Sequence, residues 1–354
     1  MNAQQSATGK KERPIRVLVV DDSSMMRHIL KDIIEQDDGI RVIGTAGNGE
    51  EALEKVEALG PDVVTMDIEM PKMDGVTALR EIMRIHPVPV IMISGFAKPH
   101  ADLTMKALAL GAVDFVPKTS VGLSLDIYKK EKDITDKIRA ASKIKDLTPF
   151  KAASNSILLD KAKSRSRKEK YVILIGVSTG GPKALPEILS KLPGDLPAAI
   201  LIVQHMPKGF TRSFAEHLNS YSHIEVREAE KGDEILAGKV LIAPGDYHMT
   251  VEGSRIELTS DPAVNFVRPS ADVLMKSAAR AFGNRCIGIV LTGMGNDGAE
   301  GLCDIKKEGG RTIAQDEDSC VIFGMPKAAI DMGVVDMVSP LRDIPRNVVK
   351  LIGG

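Results

Sequence analysis

Three side chains suited to acyl transfer end short apolar runs: Ser178 in ILIGVSTGG, His205 in AILIVQHMP and Asp297 in IGIVLTGMGNDG. Each run is β-branched and breaks into Gly or Pro, the pattern of a buried parallel strand feeding a turn. Ligands of an open α/β sheet bind just beyond such strand ends. A hydroxyl, an imidazole and a carboxylate delivered to one edge form the minimal set for a serine hydrolase. Their chain order is Ser, His, Asp, whereas the α/β-hydrolases run Ser, Asp, His. The GxSxG at Gly176–Gly180 therefore does not by itself carry that fold.

A second constellation lies upstream. Asp21 and Asp22 follow the first apolar run, Asp67 the third, Ser94 the fourth and Lys118 the fifth, which places all five on one rim. Three carboxylates at one edge repel one another unless a cation or proton intervenes, and a small hard divalent ion, Mg²⁺, suits them. Asp67 is a reasonable nucleophile toward a phosphoryl group. Lys118 can neutralise the transferred oxygens and Ser94 can donate to one of them.

These positions require a βα alternation to hold them. IRVLVV, RVIGTA, DVVTMD, VPVIMIS and VDFVPK alternate with amphipathic helical segments, which spells a doubly wound parallel sheet of five strands. Residues 1–13 read as a disordered tail, 14–142 as this first domain and 143–169, rich in Lys, Arg and Ser, as a linker. Residues 170–354 read as a second α/β unit, Rossmann-like and three-layered, with a β-hairpin in HMTVEGSRIELTS turning at Gly253-Ser254.

With 354 residues, 43% hydrophobic and 27% charged, the chain has material for two cores. A net charge of −1 removes the general electrostatic case for nucleic acid. Cys286, Cys303 and Cys320 show neither CxxC spacing nor a neighbouring His pair, so reduced thiols are expected rather than a disulfide framework or zinc site. The opening residues lack a signal sequence's apolar core, and no run is long enough to span a bilayer, which points to the cytoplasm.

Two rival readings compete for the same residues. Gly293-Met294-Gly295-Asn296-Asp297-Gly298 has the spacing of a dinucleotide loop, with Asp316 downstream as a ribose ligand. Against it, Asp297 would face the pyrophosphate that such a loop binds. Among seven histidines, His205 is preferred because it ends a strand beside that of Ser178; His248, with Asp246, is the second choice. A non-catalytic protein acting by binding alone is the other rival.

VLVVDDSSMMR, VVTMDIEMPKMDG, VIMISG and GAVDFVPK resemble the receiver domain of two-component response regulators over residues 14–142. That resemblance implies Asp67 as phosphoacceptor and Asp21 and Asp22 as the acidic pocket. Mg²⁺ would be held by Asp22, Asp67 and the Glu69 backbone carbonyl, and Ser94, Lys118 and Phe115 would be the switch residues. GVSTGGP, VQHMP, LIAPGDYHM, LTGMGNDGAEG and AQDEDSCVIFGMP resemble the catalytic domain of the chemotaxis protein-glutamate methylesterases (CheB) over residues 169–354. It implies hydrolysis of glutamyl γ-methyl esters on chemoreceptor helices without a cofactor for that step, and glutamine deamidation as a second activity. A chemotaxis histidine kinase would be the phosphodonor. Ser178 would be nucleophile, His205 base and acid, and Asp297 its orienter, with backbone N–H groups at Thr179 and Met294 as oxyanion donors.

Overall fold

The structure, a computed structural model, describes residues 13–95, 98–118, 131–144, 147 and 170–353. The expected tail, apart from Arg13, and nearly all of the expected linker lie outside the described residues.

The first sheet contains β1 (Ile15–Val20), β2 (Ile40–Ala46), β3 (Val63–Asp67), β4 (Val90–Ser94) and β5 (Asp114–Pro117), all parallel, in the order β2-β1-β3-β4-β5. The inner strands β3 and β4 are buried at every position and mostly apolar, because helices cover both faces. Side-chain caps fix where helices begin. Ser23 starts α1 (Ser24–Ile34), Asn48 starts α2 (Gly49–Leu59) and Asp74 starts α3 (Gly75–Ile85), each accepting a backbone N–H of the first turn. The layer is completed by α4 (Lys98–Ala109) and α5 (Glu131–Ala141).

The second sheet has seven parallel strands in the order β14-β13-β12-β6-β7-β9-β8. Its centre is β12 (Cys286–Val290), β6 (Tyr171–Val177) and β7 (Ala198–Gln204), nearly all of it inaccessible to solvent. Flanking strands are β8 (Glu225–Glu228), β9 (Lys239–Ile242), β13 (Arg311–Gln315) and β14 (Met337–Ser339). The chain winds outward from β6 in both directions, so the strand order reverses there and leaves a crevice at its carboxyl end. The hairpin forms as expected, β10 (His248–Glu252) pairing antiparallel with β11 (Arg255–Thr259), and Gly253 supplies the turn's positive φ of 59°. Its helices are α6 (Gly181–Leu189), α7 (Phe210–Tyr221), α8 (Ala271–Phe282), α9 (Ala299–Lys307), α10 (Met325–Asp331) and α11 (Ile344–Gly353).

The two sheets share one continuous apolar core. Helix α4 packs on α6 and α7. The Phe115 ring lies on Phe210 with centroids 4.5 Å apart and an interplanar angle of 30°. No helix of the described residues is long and apolar enough to cross a membrane.

Candidate active site and acidic pocket

Ser178, His205 and Asp297 leave the carboxyl ends of the three adjacent strands β6, β7 and β12. Ser178 follows β6 directly and is half-buried, at a turn whose next residues, Thr179 and Gly180, lead into α6. Gly180 adopts φ 89° and Pro182 opens the helix, so the chain turns sharply without needing a side-chain cap. The loop after β12 presses on the serine: a Cβ at Gly293 would come within 2.7 Å of Ser178 Cβ. Only glycine fits there.

The imidazole and the carboxylate are joined, His205 Nε2 lying 2.8 Å from Asp297 Oδ2. Asp297 is 2% exposed and accepts three further bonds, from Ser270 Oγ at 2.5 Å, Ala271 N–H at 2.6 Å and Asp272 N–H at 3.2 Å. Burial alone would raise its pKa, but His205, Ser270 and the N–H at the start of α8 outweigh that and hold it below the usual range. A carboxylate committed in this way is turned into the protein, which removes the dinucleotide reading of its loop. Because Nε2 is taken by Asp297, Nδ1 is the nitrogen left for the nucleophile. Ser178 Oγ makes no hydrogen bond among the described residues, so the hydroxyl and the imidazole stand unjoined. Such bonds often close only around substrate.

The N–H of Ser178 is spent on Thr292 O at 3.0 Å, and that of Gly293 on Ile322 O. The N–H groups of Thr179 and Met294 have no acceptor among the described residues, which leaves them open to a developing oxyanion. His248 does not join the site. It is 1% exposed, its Nε2 meets Pro262 O at 3.1 Å and its Nδ1 accepts the Ser270 N–H.

Four contributors escaped the motif reading. Gln204 Nε2 donates to the carbonyls of both Ser178 and His205, tying two strand ends together. Ser270 caps α8 and also donates to Asp297. Asp272 accepts from Gly298 N–H at 2.8 Å, Gly301 N–H at 2.7 Å and Asn265 Nδ2 at 2.8 Å. Burial and the neighbouring Asp297 charge both push the Asp272 carboxyl upward. Asn265, the fourth, reaches Asp272 from the turn seven residues before it. The only sequence signal was the helix start at SADV, because long-range partners leave no spacing pattern.

In the first sheet, Asp21, Asp22 and Asp67 bring carboxylate oxygens within 4.8 Å of one another. Lys118 Nζ sits 2.6 Å from Asp67 Oδ2 and 3.0 Å from Asp21 Oδ2. The Asp21 oxygen is buried and the ammonium is not aligned to hydrogen-bond it, so it retains acceptor capacity. A divalent cation with oxygen ligands fits this set. Burial pushes Asp67 up to about 6, Lys118 opposing and Asp21 adding to the rise. Gly75 is obligatory beside it, since a Cβ there would lie 1.8 Å from Asp67 O.

Ser94 and Phe115 have partners other than Asp67. Ser94 Oγ lies 2.6 Å from Thr104 Oγ1 on α4. Phe115 is buried against the second sheet's α7 rather than within its own domain's core alone. Beside it, Asp114 is 6% exposed, its pKa raised by burial against the opposing pull of Lys137, with Thr179 of the serine turn close enough to help lower it. Glu69 points its carboxylate to His100 Nε2 at 3.2 Å.

The family described as CheB methylesterase matches residues 173–348, and that described as response regulator receiver domain matches residues 17–124. A protein-glutamate methylesterase/protein-glutamine glutaminase from Pyrococcus horikoshii is 50% identical, over 96% of this chain and 94% of its own. The protein of the same name from Symbiobacterium thermophilum is 45% identical over 97% and 98%. The crystal structure of the Thermotoga maritima CheB methylesterase catalytic domain shares 42% identity and a TM-score of 0.50, covering 51% of this chain and 98% of that one. Matched in sequence from one sheet through the other, the chain belongs to the CheB family of response-regulator methylesterases.

Proposed function

We propose that the chain hydrolyses glutamyl γ-methyl esters on chemoreceptors, releasing methanol, under control of phosphorylation at Asp67. The observation that carries this reading is the His205–Asp297 bond beside an unpaired Ser178 at three neighbouring strand ends. Ser178 Oγ attacks the ester carbonyl while His205 Nδ1 takes its proton. The tetrahedral oxyanion is met by the Thr179 and Met294 N–H groups. Collapse breaks the C–OCH₃ bond, and the imidazolium returns the proton to the departing methoxide. A water then attacks the acyl-serine by the same base, giving glutamate and free Ser178. Asp297 holds the proton of Nε2 in place and stabilises the imidazolium. The same cycle on a glutamine side chain releases ammonia, the second activity.

In the receiver, taken as residues 14–142, the Asp67 carboxylate accepts phosphoryl from a histidine kinase. Asp21, Asp22, Asp67 and the Glu69 carbonyl would hold Mg²⁺, whose charge offsets that of the phosphoryl oxygens. Lys118 neutralises one oxygen, and Ser94 turns from Thr104 to donate to another. The catalytic unit is taken as 170–354, joined through 143–169, and the protein as cytoplasmic. In the unphosphorylated chain α4 and β5 pack beside the serine turn and hinder a protein substrate.

The test is methanol release from a methylated chemoreceptor fragment, with and without acetyl phosphate. Release that rises with the phosphodonor is expected. A folded chain that releases none, and whose Ser178 takes up no serine-directed acylating probe, would be the non-catalytic regulator instead.

A further inference from the structure

We infer that the turn at Val264–Val267, tipped by Phe266, is a docking element that grips the polypeptide flanking the esterified glutamate. Val264 and Val267 exchange both backbone hydrogen bonds, at 3.1 and 3.0 Å, leaving Asn265 and Phe266 as a two-residue turn. Both residues have positive φ, 51° and 63°, as a type I′ turn demands. Asn tolerates that region. Phenylalanine does not, and glycine is the ordinary occupant.

Nothing among the described residues repays that strain. The Phe266 side chain is 103% exposed, so it contributes no packing to its own fold. Strained backbone carrying a bare aromatic ring suits a contact made with something else.

The turn is fastened to the catalytic residues rather than hanging free. Asn265 Nδ2 donates to Asp272, which accepts the N–H of Gly298, the residue after Asp297, and gives its own N–H to Asp297. A second exposed aromatic lies beside the chain that follows His205. Tyr247, 37% exposed, has Lys208 Nζ 5.9 Å from its ring centre, and Lys208 lies three residues beyond His205. The Asp246 N–H donates to Arg268 O, which joins that segment to the Val264–Val267 turn. Val264 is also exposed, so Phe266, Val264 and Tyr247 are three exposed large side chains on segments tied by hydrogen bonds to one another and, through Asn265, to Asp297.

The occupant follows from the chemistry of the site. An ester carried on a protein brings its flanking chain across these segments, and apolar residues beside the glutamate would cover Phe266, Val264 and Tyr247. Among the described residues the receiver leaves Phe266 uncovered. Its contacts fall on Thr179, Phe210 and the surfaces of α6 and α7.

The inference rests on the esterase reading, and one experiment separates the two. With acetyl phosphate present, kcat/KM is measured for a methylated chemoreceptor fragment and for N-acetylglutamate γ-methyl ester. Phe266→Gly keeps the turn, because glycine occupies φ 63° without strain. The expected result is an approximately tenfold fall in the ratio of protein-ester to small-ester kcat/KM, with an undiminished Tm. Val338→Ala, which truncates an exposed apolar side chain on the edge strand β14, should leave that ratio at the wild-type value. An unchanged ratio for Phe266→Gly overturns the docking role. So does a wild-type dimer that the substitution dissociates, since a second copy would then be the occupant. Wild-type chain inactive on both esters overturns the esterase reading itself.

Discussion

Replacing Phe115 tests whether the contact between the two sheets restrains the unphosphorylated enzyme. The ring is 3% exposed and stacks on the fully buried Phe210. Truncating a buried Phe to Ala costs about 3–5 kcal/mol in a well-packed core. Part of that belongs to the receiver itself, where Lys137 Nζ lies 5.6 Å from the ring centre. Assigning about half to docking leaves roughly 2 kcal/mol, or about 30-fold in the ratio of docked to undocked chains. Phe115→Leu keeps most of the buried area and loses the aromatic pairing, about 0.5–1.5 kcal/mol, which is roughly 2- to 12-fold. Basal methanol release without phosphodonor should therefore rise in the order wild type, Leu, Ala. The ceiling is the rate of a fragment beginning at Lys168. Wild-type basal activity in a folded Phe115→Ala chain, with the fragment no faster, would show that the receiver acts by delivering the enzyme to its substrate rather than by restraining it.

Ser178→Ala should abolish ester hydrolysis, by roughly a million-fold if the serine proteases are a guide, while the circular dichroism stays unchanged. Asp297→Asn should retain more activity than Ser178→Ala, since nucleophile and base survive with the wrong tautomer favoured; wild-type activity in that variant would redirect attention to Asp246. Acetyl phosphate with Mg²⁺ should add one phosphate, seen by mass spectrometry on wild type and missing from Asp67→Asn, and chelating the metal should prevent it. In EDTA, pH should also tell on stability. Folding raises Asp67 from 3.8 to about 6 and so favours its protonated form, a contribution complete below the unfolded value and lost as pH rises through 6. The neutral Asp67→Asn side chain should then gain on wild type above about pH 6, by up to about 3 kcal/mol in urea denaturation, and not below about pH 4. Equal gains at both ends of that range would contradict a desolvated carboxylate.

The parts legible in the sequence were those written in local runs. β6, β7 and β12 are near-continuous apolar stretches, so their ends, and with them Ser178, His205 and Asp297, could be placed before any sheet was seen. The alternation of five strands with helices in the first unit was legible for the same reason. What could not be read was anything that depends on which surfaces meet. Phe115 is an ordinary core residue by its own strand's pattern, and only the approach of α7 reveals Phe210 as its partner. Asp272 is a helix-start carboxylate, at the second position of α8. That it also takes the N–H groups of Gly298 and Gly301 follows from α8 lying against α9, which no spacing encodes.

That dependence on meeting surfaces bears most on how phosphorylation reaches the serine. Distance alone does not couple two sites; an element with two arrangements is needed. Ser94 offers one, since its hydroxyl is committed to Thr104 on α4 and the proposed phosphoryl on Asp67 would compete for it. Lys118 offers another. It pairs with Asp67 and lies one residue past β5, the strand that carries both Asp114, near Thr179, and Phe115, on Phe210. From Lys118 to Phe115 is three residues of extended chain, roughly 10 Å. A shift of the ammonium therefore has little slack to absorb before it reaches the catalytic unit. Both routes end on the α4–β5 face, which packs beside the turn that presents Ser178, so on the proposed mechanism one small change at Asp67 would loosen two sides of the same contact.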